Sequence, residues 1–180
     1  MNYKEFLNFI RTRRTIRKYK QREIPDKLLY GIFEVARWAP SWLNQQPWEL
    51  ILIKDKNKKK AVRKIYDDAR EELGLYNQNT SFLEIATLIF VLADTEKKAP
   101  VIGTSLAMQN MVLAAHSLGL GANIMGTPVS TEYSRGEMRK LFNVPKKYEL
   151  IALMAFGYAD EEPEPKPKRK AKEFVHLNEF

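Results

Sequence analysis

The sequence predicts an α+β fold in which helices flank a small central mixed β-sheet and an extended arm follows the last strand. Three observations support this prediction. Five segments carry apolar residues at helical spacing, four short segments are branched and apolar as in strands, and proline and charge dominate the chain from residue 163 onward. With 180 residues and a hydrophobic content of 44%, residues 1–180 suit a single domain that ends in an arm at 163–180.

The first half of the chain predicts two helices, a strand and a third helix. Residues 3–12 and 26–39 each carry an apolar face, and Pro40 ends the second of these helices. Residues 48–53 are short and branched, which is typical of a strand. Residues 57–73 present one apolar stripe among many lysines, which predicts a charged surface helix.

The middle of the chain predicts a buried strand and a buried helix. Residues 85–93 are apolar without alternation, as expected for a strand that is covered on both faces. Residues 104–118 carry so little charge that we expect protein on nearly all sides of this helix, for example at a subunit interface. Gly119 and Gly121 supply the φ freedom that a helix end needs, and an extended piece follows at 122–125.

The last third of the chain predicts a short helix, a strand and the arm. A loop at 74–81 separates the earlier helix and strand, and Thr131 suits the cap of a helix that ends near Phe142. Residues 148–158 form the last predicted strand. Residues 160–167 alternate charge and proline, which predicts an extended, polyproline-like segment.

Composition excludes several classes of protein. The chain has no cysteine and no paired histidines at ligand spacing, so neither a disulfide nor a metal site is expected. The formal charge of +8 makes nucleic acid a partner to consider, but the basic runs at 54–64 and 166–172 lack interleaved aromatic residues, so no nucleic-acid partner is expected. The start lacks a signal-peptide layout, and no apolar run could span a bilayer, so we expect a cytoplasmic protein with no membrane partner.

The first motif is the segment 13–17 (RRTIR). The guanidinium groups of Arg13, Arg14 and Arg17 are planar forks, each able to give bidentate hydrogen bonds to a phosphate. Three of them within five residues indicate a phosphate clamp. The alternative is solvated surface charge at the end of the first helix, where cations favour the helix dipole.

The second motif is the segment 40–48 (PSWLNQQPW). It sets Ser41, Asn44 and Gln46 among two prolines and two tryptophans, so hydroxyl and amide groups lie on a stiff turn beside flat aromatic surface. Such a surface suits a planar heterocycle. The alternative role for Ser41 and Asn44 is stabilisation of the turn through local bonds to the backbone.

These motifs resemble those of the FMN-dependent nitroreductase family, together with the segments 109–121 (QNMVLAAHSLGLG) and 124–126 (IMG). The four segments occur in the family's order, and the resemblance covers nearly the whole chain. It implies a nitroreductase-like fold and an intertwined homodimer in which each flavin lies between protomers. It also implies an arm that reaches across the dimer.

The resemblance implies which residues bind FMN. The segment that contains Arg13 would hold the phosphate and ribityl chain, the turn at Ser41 would face the pyrimidine edge, and a backbone N–H at Met125 or Gly126 would point at flavin N5. No side chain is expected to be catalytic, because the flavin supplies the chemistry. The full set of expected FMN-binding residues is Arg13, Arg14, Thr15, Arg17, Pro40, Ser41, Trp42, Asn44, Gln46, Ile124, Met125, Gly126, Lys168 and Arg169.

Some positions leave alternatives open. A basic residue of the arm would complete the phosphate site; Arg169 is favoured for its planar fork, Lys168 is the alternative, and a solvated tail is a third possibility. Trp42 stands where the family often has a small residue and could shape the space above the flavin or simply pack in the core. Trp38 and Trp48 are expected in the core.

Two further positions bear on the substrate and on histidine chemistry. Gly103 replaces an acidic residue that many relatives carry. His116 is expected to be a satisfied core or interface histidine rather than a proton donor.

The implied activity is hydride transfer from NADH or NADPH, through flavin N5, to a small planar acceptor such as a nitroaromatic or a quinone. One alternative is a flavin-consuming or dehalogenating relative on the same scaffold. Two others are a flavin-binding protein without turnover and a basic nucleic-acid-binding module.

Overall fold

The computed structural model describes residues 2–179, in which an antiparallel sheet lies between two layers of helices. In chain order the α-helices and strands are α1 (Tyr3–Thr12), α2 (Asp26–Ala36), β1 (Trp48–Ile53), α3 (Lys56–Glu72), α4 (Phe82–Ile85), β2 (Thr87–Asp94), α5 (Pro100–Ser117), β3 (Gly121–Met125), α6 (Glu132–Leu141) and β4 (Tyr148–Gly157).

The four strands lie in the order β1-β2-β4-β3, and every pair of neighbours is antiparallel. Parallel pairing is limited to an isolated bridge between Thr15 and Ala122 within the described range. The sheet is therefore mixed only at this bridge. Strands β1 and β3 form the two edges of the sheet, with β2 and β4 in its centre.

Each face of the sheet has its own core. On one face α2 and α5 pack together over side chains such as Ile89, Val91 and Met154. On the other face α3, α4 and α6 pack over Phe90, Leu92 and other inward side chains. The predicted burial of β2 on both faces is confirmed, because its six central residues are all buried.

Some helices and strands begin or end at other residues than the sequence predicts, because short turns interrupt the predicted segments. Helix α2 ends at Ala36 and a turn leads to Ala39. The apolar run that starts at Ile85 begins as the short helix α4, and β2 begins only at Thr87. Gly119 has the predicted positive φ of 71°, but Gly121 does not, and its role is a packing one that is described below.

A broad apolar surface lies outside the α2 and α5 layer. Trp38 is 79% exposed, so the expectation that it packs in the core was wrong, whereas Trp48 packs partly buried against the core. Ile102 on α5 is 65% exposed, although this helix carries no charged residue except a histidine at its end. The exposed apolar side chains of this surface are Tyr30, Val35, Trp38, Trp42, Leu43, Val101, Ile102 and Leu106.

The arm continues from β4 without a strand as far as residue 179, and its one helical piece is a 3-10 turn at Ala171–Glu173. The last residue of the predicted arm, Phe180, lies outside the described residues. None of the helices described between residues 2 and 179 is long and apolar enough to cross a membrane.

Candidate functional site

The arginine segment is held on the edge of the sheet by two glycines. The backbone N–H of Ile16 donates to the carbonyl of Ala122 at 3.1 Å. A Cβ on Gly121 would lie 2.7 Å from Cγ1 of Ile16, and a Cβ on Gly157 would lie 2.6 Å from the ring of Tyr19. The segment can therefore lie this close to β3 and β4 only because both positions are glycine.

Tyr19 fixes the same segment from within the core. Its hydroxyl donates to the carbonyl of Ile16 at 2.8 Å and to that of Ala155 at 3.3 Å. Burial is the main cause that raises the pKa of Tyr19 above its usual value, and the nearby Glu161 carboxylate acts in the same direction. Tyr19 is therefore neutral at physiological pH and serves as a structural donor.

The three arginines of this segment do different work. Arg14 bonds to the backbone: its Nε donates to the carbonyl of Pro163 at 3.2 Å, and its Nη1 donates to the carbonyls of Arg11 and Arg13 at 2.5 and 3.0 Å. The guanidinium groups of Arg13 and Arg17 make no hydrogen bond or ion pair to any residue between 2 and 179. Arg13 and Arg17 are thus available for an anion, whereas Arg14 ties the arm to the first helix.

A cavity of about 190 Å³ opens beside Arg17. Arg70 from α3, Asn123 from β3 and the backbone from Ile124 to Thr127 also line it. The guanidinium of Arg70 stacks 5.7 Å from the ring centroid of Tyr66, another lining residue. This cavity therefore combines two cations with polar backbone at one edge of the sheet.

Asn123 is the most informative residue of this cavity. The residue is 3% exposed, and its amide makes no hydrogen bond to any part of the chain that the structure describes. Its amide is not among the fully buried side-chain atoms without a partner, so it is reached from the cavity that it lines. A polar ligand or water in the cavity can therefore complete its hydrogen bonds.

The sequence did not predict that Arg70, Asn123 and Gln78 line this cavity. Arg70 was hidden in a helix with many cations, and Asn123 lies within a strand whose pattern is otherwise apolar. The signal for Asn123 was a polar residue in a short apolar strand, which is costly to bury without a purpose. Gln78 lies in the loop 74–81 and gave no signal in sequence.

A larger cavity of about 390 Å³ adjoins the first and shares Arg17 and Gln78 with it. Its floor is apolar, from Tyr19, Phe82 and Ile85, and amide side chains of the 77–79 segment stand at its rim. Together the two cavities surround Arg17 with both flat apolar surface and hydrogen-bonding groups.

Met125 is the last residue of β3 and pairs with Leu153, whereas Gly126 follows the strand. The N–H of Gly126 donates no hydrogen bond within residues 2–179. A Cβ on Gly126 would meet only Oγ of Ser130, at 3.9 Å, and its φ of −83° suits any residue. Packing within the protomer therefore does not require glycine at this position.

The second motif forms a stiff turn between α2 and β1. The N–H of Gln46 donates to Oγ of Ser41 at 2.9 Å, so the hydroxyl of Ser41 does stabilise the turn. Leu43, Asn44 and Gln46 have positive φ, which is uncommon for residues other than glycine and marks a constrained backbone. Asn44 is exposed, and its side-chain amide bonds to nothing in the described range.

The turn also rests directly on α5. A Cβ on Gly103 would lie 3.1 Å from Cβ of Ser41 and 3.2 Å from the ring of Pro47. A residue with a side chain at this position would therefore not fit without a small movement of the turn. Trp42 is exposed rather than packed in the core, which removes one of its two predicted roles.

The two motifs lie at opposite corners of one protomer. Trp48, which follows the second motif, starts the edge strand β1 and lies level with Glu149 near the start of β4. Ala122, which contacts the arginine segment, lies on the other edge strand β3 and pairs with Phe156 near the end of β4. Three strand spacings of about 4.8 Å and six or seven residues of about 3.3 Å separate them, which amounts to a distance on the order of 25 Å. Within one protomer, therefore, the two motifs lie far apart.

The basic residues of the arm do not reach the cavity within this chain. Nη2 of Arg169 donates to the carbonyl of Glu173, and its guanidinium stacks 5.6 Å from the ring centroid of Phe174. Lys168 is exposed. In the protomer, therefore, neither residue contacts the segment around Arg13.

His116 is a satisfied histidine, as expected. Its Nε2 lies 3.1 Å from Oγ1 of Thr12, and its ring packs 4.8 Å from that of Phe9. Burial lowers the pKa of His116, and the charges of Arg13 and Arg14 lower it further. Across the described residues, no cluster of three metal-ligating side chains is found.

Comparison with known proteins identifies the family of this chain. Residues 10–158 match the model of the nitroreductase family. A provisionally named NADH dehydrogenase/NAD(P)H nitroreductase of Methanothermobacter thermautotrophicus is 30% identical over 161 residues, which cover 88% of this chain and 80% of that protein. An iodotyrosine deiodinase of Thermotoga neapolitana is 29% identical over 175 residues, which cover 88% and 90%.

A solved structure agrees with these sequence matches. An FMN-dependent nitroreductase of Clostridium difficile R20291 superposes with a TM-score of 0.81 at 28% identity, and the match covers 97% of this chain and 99% of that one. The fold, the order of the motifs and the matched residues lead to one conclusion: this chain belongs to the nitroreductase family.

Proposed function

We propose that this protein is an FMN-dependent oxidoreductase that takes reducing equivalents from NADH or NADPH and delivers them to a small planar acceptor such as a nitroaromatic or a quinone. The observation that supports this most is the cavity beside Arg17, where two cations, the side-chain amide of Asn123 and the free N–H of Gly126 meet. The names of the relatives support the same cofactor and donor.

The residues of the protomer fit FMN in their chemistry. Arg13 and Arg17 have free guanidinium groups for the phosphate and the polar edge of the ring, and Thr15 lies between them on the same segment. Asn123 and Arg70 offer donors deeper in the cavity. The side-chain amide of Asn44 is free to bond to the pyrimidine edge of the ring. The hydroxyl of Ser41 accepts a bond from Gln46 and can still donate its proton to that edge.

The functional unit is proposed to be a homodimer. The Ser41 turn of one protomer lies far from its own Arg17 cavity, and the exposed apolar surface around Trp38 and Ile102 adjoins that turn. Burying this surface against a second copy would remove a large apolar area from water. The turn of one protomer would then complete the cavity of its partner, and the basic arm residues Lys168 and Arg169 would approach the phosphate.

When bound, FMN supplies hydride chemistry at its N5 atom. The chain contributes orientation and fixed dipoles. The free N–H of Gly126 is a donor that needs no reorganisation to stabilise developing charge, and the cation of Arg17 favours negative charge nearby. No side-chain acid or base is required for this role, which agrees with the satisfied state of His116.

The test is the absorbance spectrum of purified protein after incubation with FMN, followed by anaerobic addition of NADH or NADPH. We expect visible flavin bands that bleach with the donor and return when a nitroaromatic or quinone is added. A protein that binds FMN but does not bleach with either donor would be a flavin carrier or sensor. A protein that takes up no FMN and binds duplex with steep salt dependence would be a nucleic-acid-binding module.

Reductive dehalogenation is a second candidate function, since the relative from Thermotoga neapolitana is named as an iodotyrosine deiodinase. The loop 74–81 beside the larger cavity is short, and it offers amide side chains at residues 77–79 rather than an acidic, tyrosine and lysine lid. This favours the nitroreductase activity. Iodide release from 3-iodotyrosine under dithionite, compared with nitroaromatic reduction under NADH, separates the two activities.

A further inference from the structure

The carboxylate of Glu161, two residues before the arm, lies against the backbone of the arginine segment. Its Oε1 accepts a hydrogen bond from the N–H of Lys18 at 3.0 Å and a shorter one from the N–H of Arg17. Two consecutive backbone N–H groups therefore converge on one carboxylate oxygen. In this protein the acceptor for both is a side chain of the same chain.

The backbone on both sides of this contact is already fixed. The N–H of Lys20 donates to the carbonyl of Tyr158 at 2.9 Å, and the N–H of Asp160 donates to the carbonyl of Lys18 at 3.0 Å, which forms the bridge of Tyr19 with Ala159. This backbone pairing does not extend to the N–H groups of Arg17 and Lys18. The carboxylate of Glu161 accepts their hydrogen bonds in place of a backbone carbonyl.

We propose that Glu161 is a positioning residue that sets the place of Arg17 in the FMN site. The guanidinium of Arg17 has no partner within residues 2–179, so its long side chain is anchored only through its backbone. The Glu161 carboxylate fixes that backbone by charge-assisted bonds. This inference rests on the proposed function, because it assigns Arg17 to FMN.

Glu161 acts on the backbone of Arg17 and not on its charge. No ion pair joins the two side chains within the described range, and Oε1 of Glu161 is engaged with N–H groups. The carboxylate is therefore engaged by two backbone N–H groups, and the cation of Arg17 remains free for a ligand. A direct ion pair would instead have competed with an anionic cofactor.

The experiment measures the dissociation constant of FMN by fluorescence quenching in three variants. Glu161→Ala removes the acceptor, and we expect it to weaken FMN binding about tenfold. Glu161→Gln keeps one oxygen acceptor without its charge, and an effect of about threefold is expected. The matched control is Glu162→Ala, which removes the same charge at the next residue, where the side chain is exposed and bonds to no described residue. It should bind FMN as the wild type does.

Double-mutant cycles separate positioning from general destabilisation. If Glu161 acts through Arg17, Glu161→Ala should change FMN affinity less than twofold in an Arg17→Ala background. In an Arg13→Ala background the full effect of about tenfold should persist. A merely structural role would give the same effect in both backgrounds.

Failure of this inference can be told from failure of the proposed function. If Arg17→Ala alone leaves FMN affinity unchanged, the assignment of Arg17 to FMN is wrong. If Arg17→Ala weakens binding while Glu161→Ala has no effect, or has an additive one, only the role of Glu161 is wrong. Should Glu161→Ala fail to fold, the same cycles with Glu161→Gln decide the question.

Discussion

Ile16 lies so close to Gly121 that a Cβ on the glycine would be 2.7 Å from Cγ1 of the isoleucine. This contact links the edge of the sheet to the segment that carries Arg13 and Arg17. We expect Gly121→Ala to push the segment outward, because Ile16 is buried and cannot move away freely. Overpacking of this kind costs about 1–3 kcal/mol.

The measurement for Gly121→Ala is urea unfolding together with FMN affinity, and both should fall. The control is Gly136→Ala in α6, where a Cβ meets nothing within 4 Å. That change should stabilise the protein by up to about 1 kcal/mol, because alanine favours a helix more than glycine does. Equal stability of the two variants would contradict the packing role of Gly121.

Gly126→Ala, unlike Gly121→Ala, should leave the stability of the apoprotein unchanged. The protomer has room for a Cβ at this position, and its φ of −83° is ordinary, so the free energy of unfolding of the apoprotein should change by less than about 0.5 kcal/mol. FMN affinity or turnover should nevertheless fall if the cofactor approaches this backbone closely. Unchanged FMN affinity and turnover in a well-folded variant would remove Gly126 from the site.

Arg14→Ala and Arg13→Ala should separate stability from binding. Arg14 bonds to three backbone carbonyls, so its loss should lower the free energy of unfolding by about 1–2 kcal/mol. Arg13 bonds to nothing in the described range, so Arg13→Ala should leave stability nearly unchanged and weaken FMN binding about tenfold or more. Thermal unfolding of the apoprotein and FMN titration measure the two effects. Loss of stability in Arg13→Ala together with weaker FMN binding only in Arg14→Ala would contradict the assignment.

Ile102→Glu should dissociate the proposed dimer and abolish FMN binding together. A charge in the middle of the apolar surface would have to be buried in the interface, which costs about 2 kcal/mol or more. The control is Leu73→Glu, at the end of α3 on the other side of the sheet, which should neither dissociate the dimer nor weaken FMN binding. Light scattering measures the mass of each variant in solution. A monomer that binds FMN with full affinity would show that one protomer suffices.

Protonation of His116 should destabilise the fold. Its pKa is lowered below the ordinary value of 6.5, mainly by burial, so the unfolded chain binds a proton more readily than the native one. Stability should therefore fall as pH drops below about 6.5. In His116→Asn this part of the pH dependence should disappear. Urea unfolding at several pH values between 5 and 8 compares the two proteins, and parallel curves would rule out His116 as the source.

Much of the fold follows from local patterns in the sequence. The periods of β1, α3 and β4 place these elements within one or two residues, because their apolar faces match the two sides of the sheet. Trp38 could not be placed correctly, because an apolar residue at helical spacing looks the same whether it faces the core or the outer surface of the protomer. The short helix α4 was hidden within a continuous apolar run.

The site was predictable only in part. The arginine segment was evident, but the separate task of Arg14 depends on the carbonyl of Pro163, which is distant in sequence. Arg70 and Asn123 come together only because α3 packs against the turn at Thr127–Val129 that follows β3, so no spacing in the sequence could reveal them. The separation of the two motifs was likewise a consequence of strand order rather than of sequence distance.

The central claim is that one FMN site takes the arginine segment from one protomer and the Ser41 turn from its partner. Co-expression of Arg17→Ala with an Asn44→Ala chain, each with its own affinity tag, yields a heterodimer with the two defects on different protomers. FMN titration of this purified heterodimer should reveal one site of wild-type affinity, because both defects then fall in the other site. Two weakened sites and none of wild-type affinity would show that each site is built within a single protomer, which would contradict the account.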